Sequence, residues 1–285
     1  MAIALRQLSP DEYPQGLREI PKPPEKLWML GEWAPSGTKY LTVVGSRAAT
    51  PYGKEMCTKL VQGLTSYPIS IVSGLALGID AIAHKAALDA GMHTIAVPGS
   101  GLSSNAIYPR SNAELAKDIL TKGGALLSEH EPDHKAEIRD FPSRNRIMVG
   151  ISDAVLMIEA GEKSGTLITA RLASEYNRDL LCVPHRAGDP HGFGSHLFIR
   201  LGAALVTEPK HILEALGIPE ERSGPQMLPL LDGIEKEIYG ILHAPVTKDE
   251  LLRRLEGEED KLESALVTLE LKGLIKEAMG MWQRV

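Results

Sequence analysis

Residues 40–74 read "YLTVVGSRAATPYGKEMCTKLVQGLTSYPISIVSG". Two short apolar runs, "YLTVVG" and "ISIVSG", flank a helical pattern in "YGKEMCTKLVQGLTSY". Strands that are apolar along their whole length are buried on both faces, and a helix between two of them gives a parallel pair. The alternation continues to about residue 215. "HTIAVPG", "ALLSE", "AVLMIEA", "LLCVPH" and "ALVT" read as further strands, and "GIDAIAHKAALDAG" as another helix. Residues 39–216 are therefore expected to form a Rossmann-like, doubly wound α/β domain on a mainly parallel sheet.

The flanks read differently. Residues 1–38 are rich in proline ("EIPKPPEKLWML") and suggest an extended lead-in packed on the main domain through Leu27, Trp28 and Leu30. "GIPEERSGPQMLPL", residues 217–230, reads as a linker. Residues 231–285 suggest three helices and a hairpin around Gly280, with Thr247 capping "KDELLRRL". That is a winged-helix pattern. Residues 226–285 carry eight Lys/Arg against twelve Asp/Glu. A strong duplex reader carries basic phosphate contacts, so protein contact or regulation suits this module better.

Bulk properties narrow the function classes. No run approaches the ~20 apolar residues of a membrane span. "MAIALRQLSPDEYPQ" turns polar too early for a signal peptide. Cys57 and Cys182 alone imply no disulfide framework and a cytoplasmic location. A net charge of −6 excludes coating of nucleic acid through bulk basicity, but not a local basic pocket.

Small or polar residues end strand after strand: Gly45-Ser46-Arg47, Ser73-Gly74, Gly99-Ser100-Gly101, Ser128-Glu129 and Glu159. Open α/β sheets bind ligands beyond the carboxyl ends of their strands, so these loops predict a cleft. Only Gly45 of the three dinucleotide-fingerprint glycines is present, which departs from the NAD and FAD pattern. Arg47 instead offers a forked cation for phosphate oxygens. In "SGLALGIDAIAHKAA", Asp80 would cap backbone N–H groups and repel phosphate. It is read as structural or orienting, with His84 as its partner. A catalytic Asp–His pair would lack a nucleophile to serve.

Further along, the Gly99–Gly101 turn permits close backbone approach, Arg110 adds charge, and Tyr108 either stacks on a base or packs. Arg144, Asn145 and Arg146 open a helix. The two arginines point to opposite sides, one to the cleft and the other to a carboxylate such as Glu129 or Glu159. Ser164-Gly165-Thr166 opens another helix as a phosphate nest. No metal or cofactor is expected. Pro132 interrupts any helical pairing among His130, Asp133 and His134, so "EHEPDHKAE" reads as a solvated loop. Cys182, His185, His191 and His196 show no zinc-type spacing, and "HRAGDPHGFGSH" reads as a mobile loop.

In order, "VVGSR", "SGLALGIDAIAH", "GSGL…IYPRSN", "LLSE", "FPSRNRIMVGIS", "EAGEKSGTLITARLA" and "RLGA" resemble the DNA-processing protein A family, DprA or Smf. The resemblance implies binding of single-stranded DNA without marked sequence preference, a homodimer, and loading of RecA recombinase in natural transformation, with no catalytic reaction. It places DNA contacts at Arg47, Arg110, Gly99, Ser100 and Gly101, at the Arg144-Asn145-Arg146 run and at the Ser164-Gly165-Thr166 turn. Two positions depart from the family pattern: His185 follows Pro184 where members have glycine, and His196 replaces an asparagine.

The rival class is a nucleotide N-glycosidase similar to the lysine-decarboxylase-like phosphoribohydrolases. Their signature glutamate falls on Thr169 here, and the paired glycines are missing. A recombinase adaptor, for which DNA contact is secondary, is the third reading.

Overall fold

The computed structural model describes residues 4–219, 231, 233–242, 245–255, 259–272, 274–278 and 280–284. The chain divides into two compact units, Met1–Glu220 and Glu221–Val285. Most of the expected linker, residues 217–230, lies outside the described residues.

The first unit is built on nine strands: β1 (Arg6–Gln7), β2 (Trp28–Gly31), β3 (Lys39–Val44), β4 (Ile69–Ser73), β5 (Thr94–Ala96), β6 (Ala125–Ser128), β7 (Ala154–Met157), β8 (Asp179–Cys182) and β9 (Ala204–Leu205). Its helices are α1 (Gln15–Arg18), α2 (Pro51–Gln62), α3 (Ile79–Asp89), α4 (Ala113–Thr121), α5 (Asp140–Ile151), α6 (Thr166–Glu175), α7 (Phe193–Arg200) and α8 (Pro209–Ala215). The sheet order is β1-β2-β6-β5-β4-β3-β7-β8-β9, parallel from β6 through β9. This is the expected Rossmann-like architecture.

Side chains alternating along the strands feed two large cores, with a smaller third between α4 and the β5 and β6 strands. Leu41, Val43, Ile69, Ile71 and Leu156 meet α2, α3 and α8 on one face. Val44, Val72, Val155 and Met157 meet α5, α6 and α7 on the other. Each fully buried aliphatic side chain is worth roughly 1.5–3 kcal/mol, and the polar side chains these strands bury, such as Thr42, Ser73 and Thr94, each donate to a backbone carbonyl.

The lead-in does more than the sequence suggests. β2 pairs antiparallel with β6, and β1 antiparallel with β2, so residues 1–38 extend the sheet. Leu8, Tyr13, Leu17, Ile20, Leu27 and Met29 are buried in the core shared with α5. Proline punctuation concealed these strands, of two and four residues. A second correction concerns "HRAGDPHGFGSH". It is not a loop throughout, because Phe193 begins α7, in which Gly194 and Ser195 are buried.

β3 is the topological switch point. The chain steps outward through β4, β5 and β6, then returns to place β7 on the other side of β3. Diverging connections leave a crevice above the carboxyl ends of β3 and β7.

In the second unit, α9 (Gly233–Ile241), α10 (Lys248–Arg254) and α11 (Glu259–Leu271) accompany β10 (Val246–Thr247), β11 (Ile275–Ala278) and β12 (Met281–Arg284). The strands are ordered β10-β12-β11. Thr247 Oγ1 accepts the Glu250 N–H and starts α10. Ile238, Leu242, Leu251, Leu262, Leu266 and Leu269 form a core of its own. Among the described residues, no helix is long and apolar enough to cross a membrane.

Candidate nucleic-acid interface

Beyond the strand ends the loops are tied to one another. The Ser46 carbonyl accepts the Ile79 N–H at 3.1 Å, joining the β3 loop to the start of α3. Thr166 Oγ1 donates to the Gly45 carbonyl at 3.1 Å, so the Ser164-Gly165-Thr166 turn abuts the same strand end. Asn112 Nδ2 donates to the carbonyls of Leu75 (2.9 Å) and Ala76 (3.1 Å) and fixes the loop after β4. At the end of β7, buried Glu159 accepts the N–H (3.0 Å) and hydroxyl (2.7 Å) of Thr50, the cap of α2. Its carboxylate is thereby consumed in holding α2 rather than facing the crevice.

A cleft on the β4 side of β3, over the carboxyl ends of β3, β4 and β5, is lined by Arg47, Gly74, Ala76, Leu77, Tyr108, Pro109, Phe141 and Arg144. Arg47 is exposed, with its guanidinium carbon 4.9 Å from the centre of the Phe141 ring. The Tyr108 ring, half exposed at 49%, lies 5.8 Å from the same ring. A cation and two aromatic faces thus share one wall, with Leu77 (48% exposed) beside them. Stacking surfaces next to a cation suit a base and its phosphate. Phe141 carried no signal in the sequence reading. It precedes a proline at the start of α5, and only the fold brings it beneath Arg47.

Arg144 is the buried member, 5% exposed. Its Nη1 donates to the carbonyls of Gly74 and Val97, the latter at 2.5 Å, and its Nη2 lies 3.7 Å from Asp80 Oδ2. A Cβ on Gly74 would collide with this guanidinium, so Gly74 serves to admit Arg144. Asp80 also accepts the N–H groups of Gly74 (3.1 Å) and Ala76 (3.3 Å), which fits its orienting role. Burial pushes the Asp80 carboxyl up, opposed by Arg144 and these two N–H groups. Burial also pushes Arg144 down to about 10, so it remains a cation at neutral pH.

His84 is not Asp80's partner. Its Nδ1 pairs with Thr94 Oγ1 at 2.8 Å, because one turn of α3 carries it over β5. Burial, with the Arg144 charge, lowers it to about 3.

The two arginines of α5 do diverge, though the helix begins four residues before Arg144, at Asp140. Arg146 Nη2 pairs with Glu129 at the end of β6, one of the two carboxylates expected. Asn145 is buried at 8% exposure.

Two expected contacts are placed differently. Gly99, Ser100 and Gly101 are buried, and a Cβ on Gly99 would stand 2.9 Å from Phe141. The Gly101 N–H donates to the His134 carbonyl at 2.9 Å, while Ser100 Oγ accepts the Tyr108 N–H at 3.2 Å. The turn therefore supports the aromatic wall from below instead of offering its Gly101 N–H to a ligand. Arg110 is exposed on the short turn after Pro109, where its Nη1 donates to the Ser104 carbonyl at 3.0 Å. It sits along the rim, outside the cleft lining. Of the small-residue turn, Gly165 is exposed with nothing within 4 Å of a Cβ position, so ligand atoms can approach its backbone. The Thr166 N–H is taken by Ser164 Oγ at 3.2 Å.

Other groups answer to the fold. A larger cavity of about 570 Å³ lies at the amino ends of β8 and β9, but its lining sets Arg178 against Asp179 and Glu214, a poor match for a polyanion. The two departures from the family pattern meet: His196 Nε2 donates to the His185 carbonyl at 3.0 Å. Thr169, at the position of the N-glycosidase glutamate, is buried at 2% exposure and brings no carboxylate.

Comparison with known proteins gives a consistent answer. Residues 5–217 match the model of the family described as DNA recombination-mediator protein A. Protein Smf of Escherichia coli is 44% identical over 204 residues, 72% of this chain and 54% of the relative. The DNA processing protein DprA of Bacillus subtilis is 39% identical over 210 residues, 73% of this chain and 70% of the relative. The X-ray structure of DprA from Streptococcus pneumoniae superposes with a TM-score of 0.69 at 38% identity, covering 74% of each chain. DNA processing protein A from Helicobacter pylori, whose structure concerns its single-stranded DNA binding mode, gives 0.66 at 30% identity, covering 75% of this chain and 96% of that one. The match spans about half the length of the E. coli relative. With the family's own region spanning the sheet, the switch-point crevice and every loop that lines it, the chain belongs to the DNA recombination-mediator protein A family.

Proposed function

We propose that this chain binds single-stranded DNA along the carboxyl edge of its sheet, without marked sequence preference. Arg47, Arg110 and the cationic field of buried Arg144 serve the phosphates, Ser46 and the Ser164-Gly165-Thr166 turn add polar contacts, and Phe141 and Tyr108 serve the bases. The observation that carries the reading is the exposed Arg47 guanidinium laid over Phe141 beside Tyr108, just beyond the carboxyl end of β3. The Helicobacter pylori relative, described for its single-stranded DNA binding mode, supports it.

The protein acts by binding rather than catalysis. Asp80 and Glu159, the carboxylates behind the cleft, are spent on backbone N–H groups and, for Glu159, the Thr50 hydroxyl. By family, the bound strand is held as a homodimer in the cytoplasm for delivery to RecA recombinase. The C-terminal unit is a winged helix that contacts protein. Lys248, Arg254 and Lys272 pair with Glu263, Glu250 and Glu235, and Arg284 folds onto Tyr239, which withdraws those cations from phosphate.

Titration of the wild type and an Arg47→Ala/Arg110→Ala variant against single- and double-stranded oligonucleotides tests the proposal. The expected result is preference for the single strand and marked weakening in the variant, with an unchanged circular dichroism spectrum. Equal affinity of the two proteins would overturn it, and release of free adenine from AMP would favour the N-glycosidase.

A further inference from the structure

Residues 130–140 are a largely exposed loop, as expected, but one strapped to its neighbours. The carbonyls of Pro132 and His134 accept the N–H groups of Ser103 (2.8 Å) and Gly101 (2.9 Å), clasping the turn beneath the aromatic wall. The strap brings two histidines to one carboxylate. Asp140, the first residue of α5, has His134 Nε2 2.7 Å from Oδ2 and His130 Nε2 3.9 Å from Oδ1. The imidazoles stack with centroids 4.2 Å apart and planes inclined by 18°. A ligand atom from each residue lies within 4.8 Å of the other two.

We propose that His130, His134 and Asp140 form a three-ligand site for a divalent transition-metal ion of the zinc class, with water in the fourth position. Two imidazoles and a carboxylate are a donor set for zinc, whereas calcium and magnesium prefer oxygen ligands alone. Ligand atoms around tetrahedral zinc are about 3.3 Å apart, given metal–ligand bonds of about 2.0–2.1 Å. The separations of 2.7 Å from His134 Nε2 to Oδ2 and 3.9 Å from His130 Nε2 to Oδ1 bracket that value, so each imidazole faces one oxygen of the Asp140 carboxylate.

Two features of the protein fit this role. His130 Nε2 is buried without a hydrogen-bond partner, a condition that folded proteins seldom leave unrelieved. The Glu137 N–H donates to Asp140 Oδ2 at 2.7 Å and orients the carboxylate from behind, as outer-shell partners of metal ligands do. Asp133, the third residue of the sequence cluster, is exposed and takes no part. Asp140 replaces it because the strap curls back to the start of α5. A bound ion would pin the strap to α5 immediately before Phe141 and so stiffen the wall from outside.

Cobalt(II), added alone to the chelator-treated 285-residue chain, tests the site. The expected result is the strong visible absorption of four-coordinate cobalt, saturating at one ion per chain. The bands are lost in His130→Ala and Asp140→Ala and retained in His185→Ala, with circular dichroism spectra matching the wild type. Should the ligand variants misfold, amide exchange on the wild type decides: zinc slows exchange across 130–140 and leaves 185–196 unchanged. Absence of cobalt bands in the wild type, their persistence in His130→Ala, or indifference of 130–140 to zinc overturns the proposal.

Discussion

The guanidinium of Arg144 occupies the space that a Cβ on Gly74 would need. One glycine at the end of β4 thus decides whether the cation of α5 can lie beneath the crevice. Gly74→Ala is expected to force Arg144 from its two carbonyl partners and to destabilise the fold by about 1–3 kcal/mol, as overpacking does. Urea unfolding of the variant measures the loss. An unchanged midpoint would mean that Arg144 has another place to go.

Arg47 and Arg110 act at the surface, so their removal is expected to show in salt dependence more than in stability. Taking one arginine away from a phosphate lowers the slope of log K against log salt by about 0.7 for a single strand. The double alanine variant should therefore flatten the slope by roughly 1.4 if both arginines meet phosphate. Fluorescence anisotropy at several salt concentrations reads the slope, and parallel lines for the two proteins would refute the assignment.

Phe141→Ala removes the ring shared by Arg47 and Tyr108. A stacked base is worth about 1–3 kcal/mol, so affinity for single strands should fall by about one order of magnitude or more. The slope with salt should stay as in the wild type, because the arginines that meet phosphate are all kept. Phe141→Leu keeps the bulk over Gly99 and should restore stability without restoring affinity.

His84 gives a pH dependence unconnected with DNA. Burial lowers its value to about 3 from the ordinary 6.5, so the unfolded chain takes up a proton that the native chain refuses. Stability from this group is complete above pH 6.5 and drains away as pH falls toward 3, at up to about 1.4 kcal/mol per pH unit. Chemical denaturation between pH 7 and 4 should show the fall. His84→Leu should flatten it while losing the Thr94 bond, worth about 1 kcal/mol.

Strand identity in the first unit was legible because six of the seven apolar runs form strands that are mostly buried on both faces and need no long-range information to be seen. β1 and β2 were hidden for the opposite reason: they are short, punctuated by proline, and held by an edge pairing that only the folded sheet supplies. Side-chain destinations followed the same divide. The opposed directions of Arg144 and Arg146 follow from helical spacing and were readable, whereas the choice of Glu129 over Glu159, and of Arg146 as its partner, came only with the fold. The separation of His84 from Asp80 depends on which strand α3 crosses, and the meeting of Phe141 with Arg47 on how two distant loops converge. Neither leaves a mark in the local sequence.

The bond from Ile79 to Ser46, with those from Asn112 to Leu75 and Ala76, means that the walls of the crevice are set before anything enters. A limp strand that settles there surrenders its own freedom, while the receptor gives up little. Affinity should then grow with strand length only until the rim is filled, after which added nucleotides hang loose and contribute nothing.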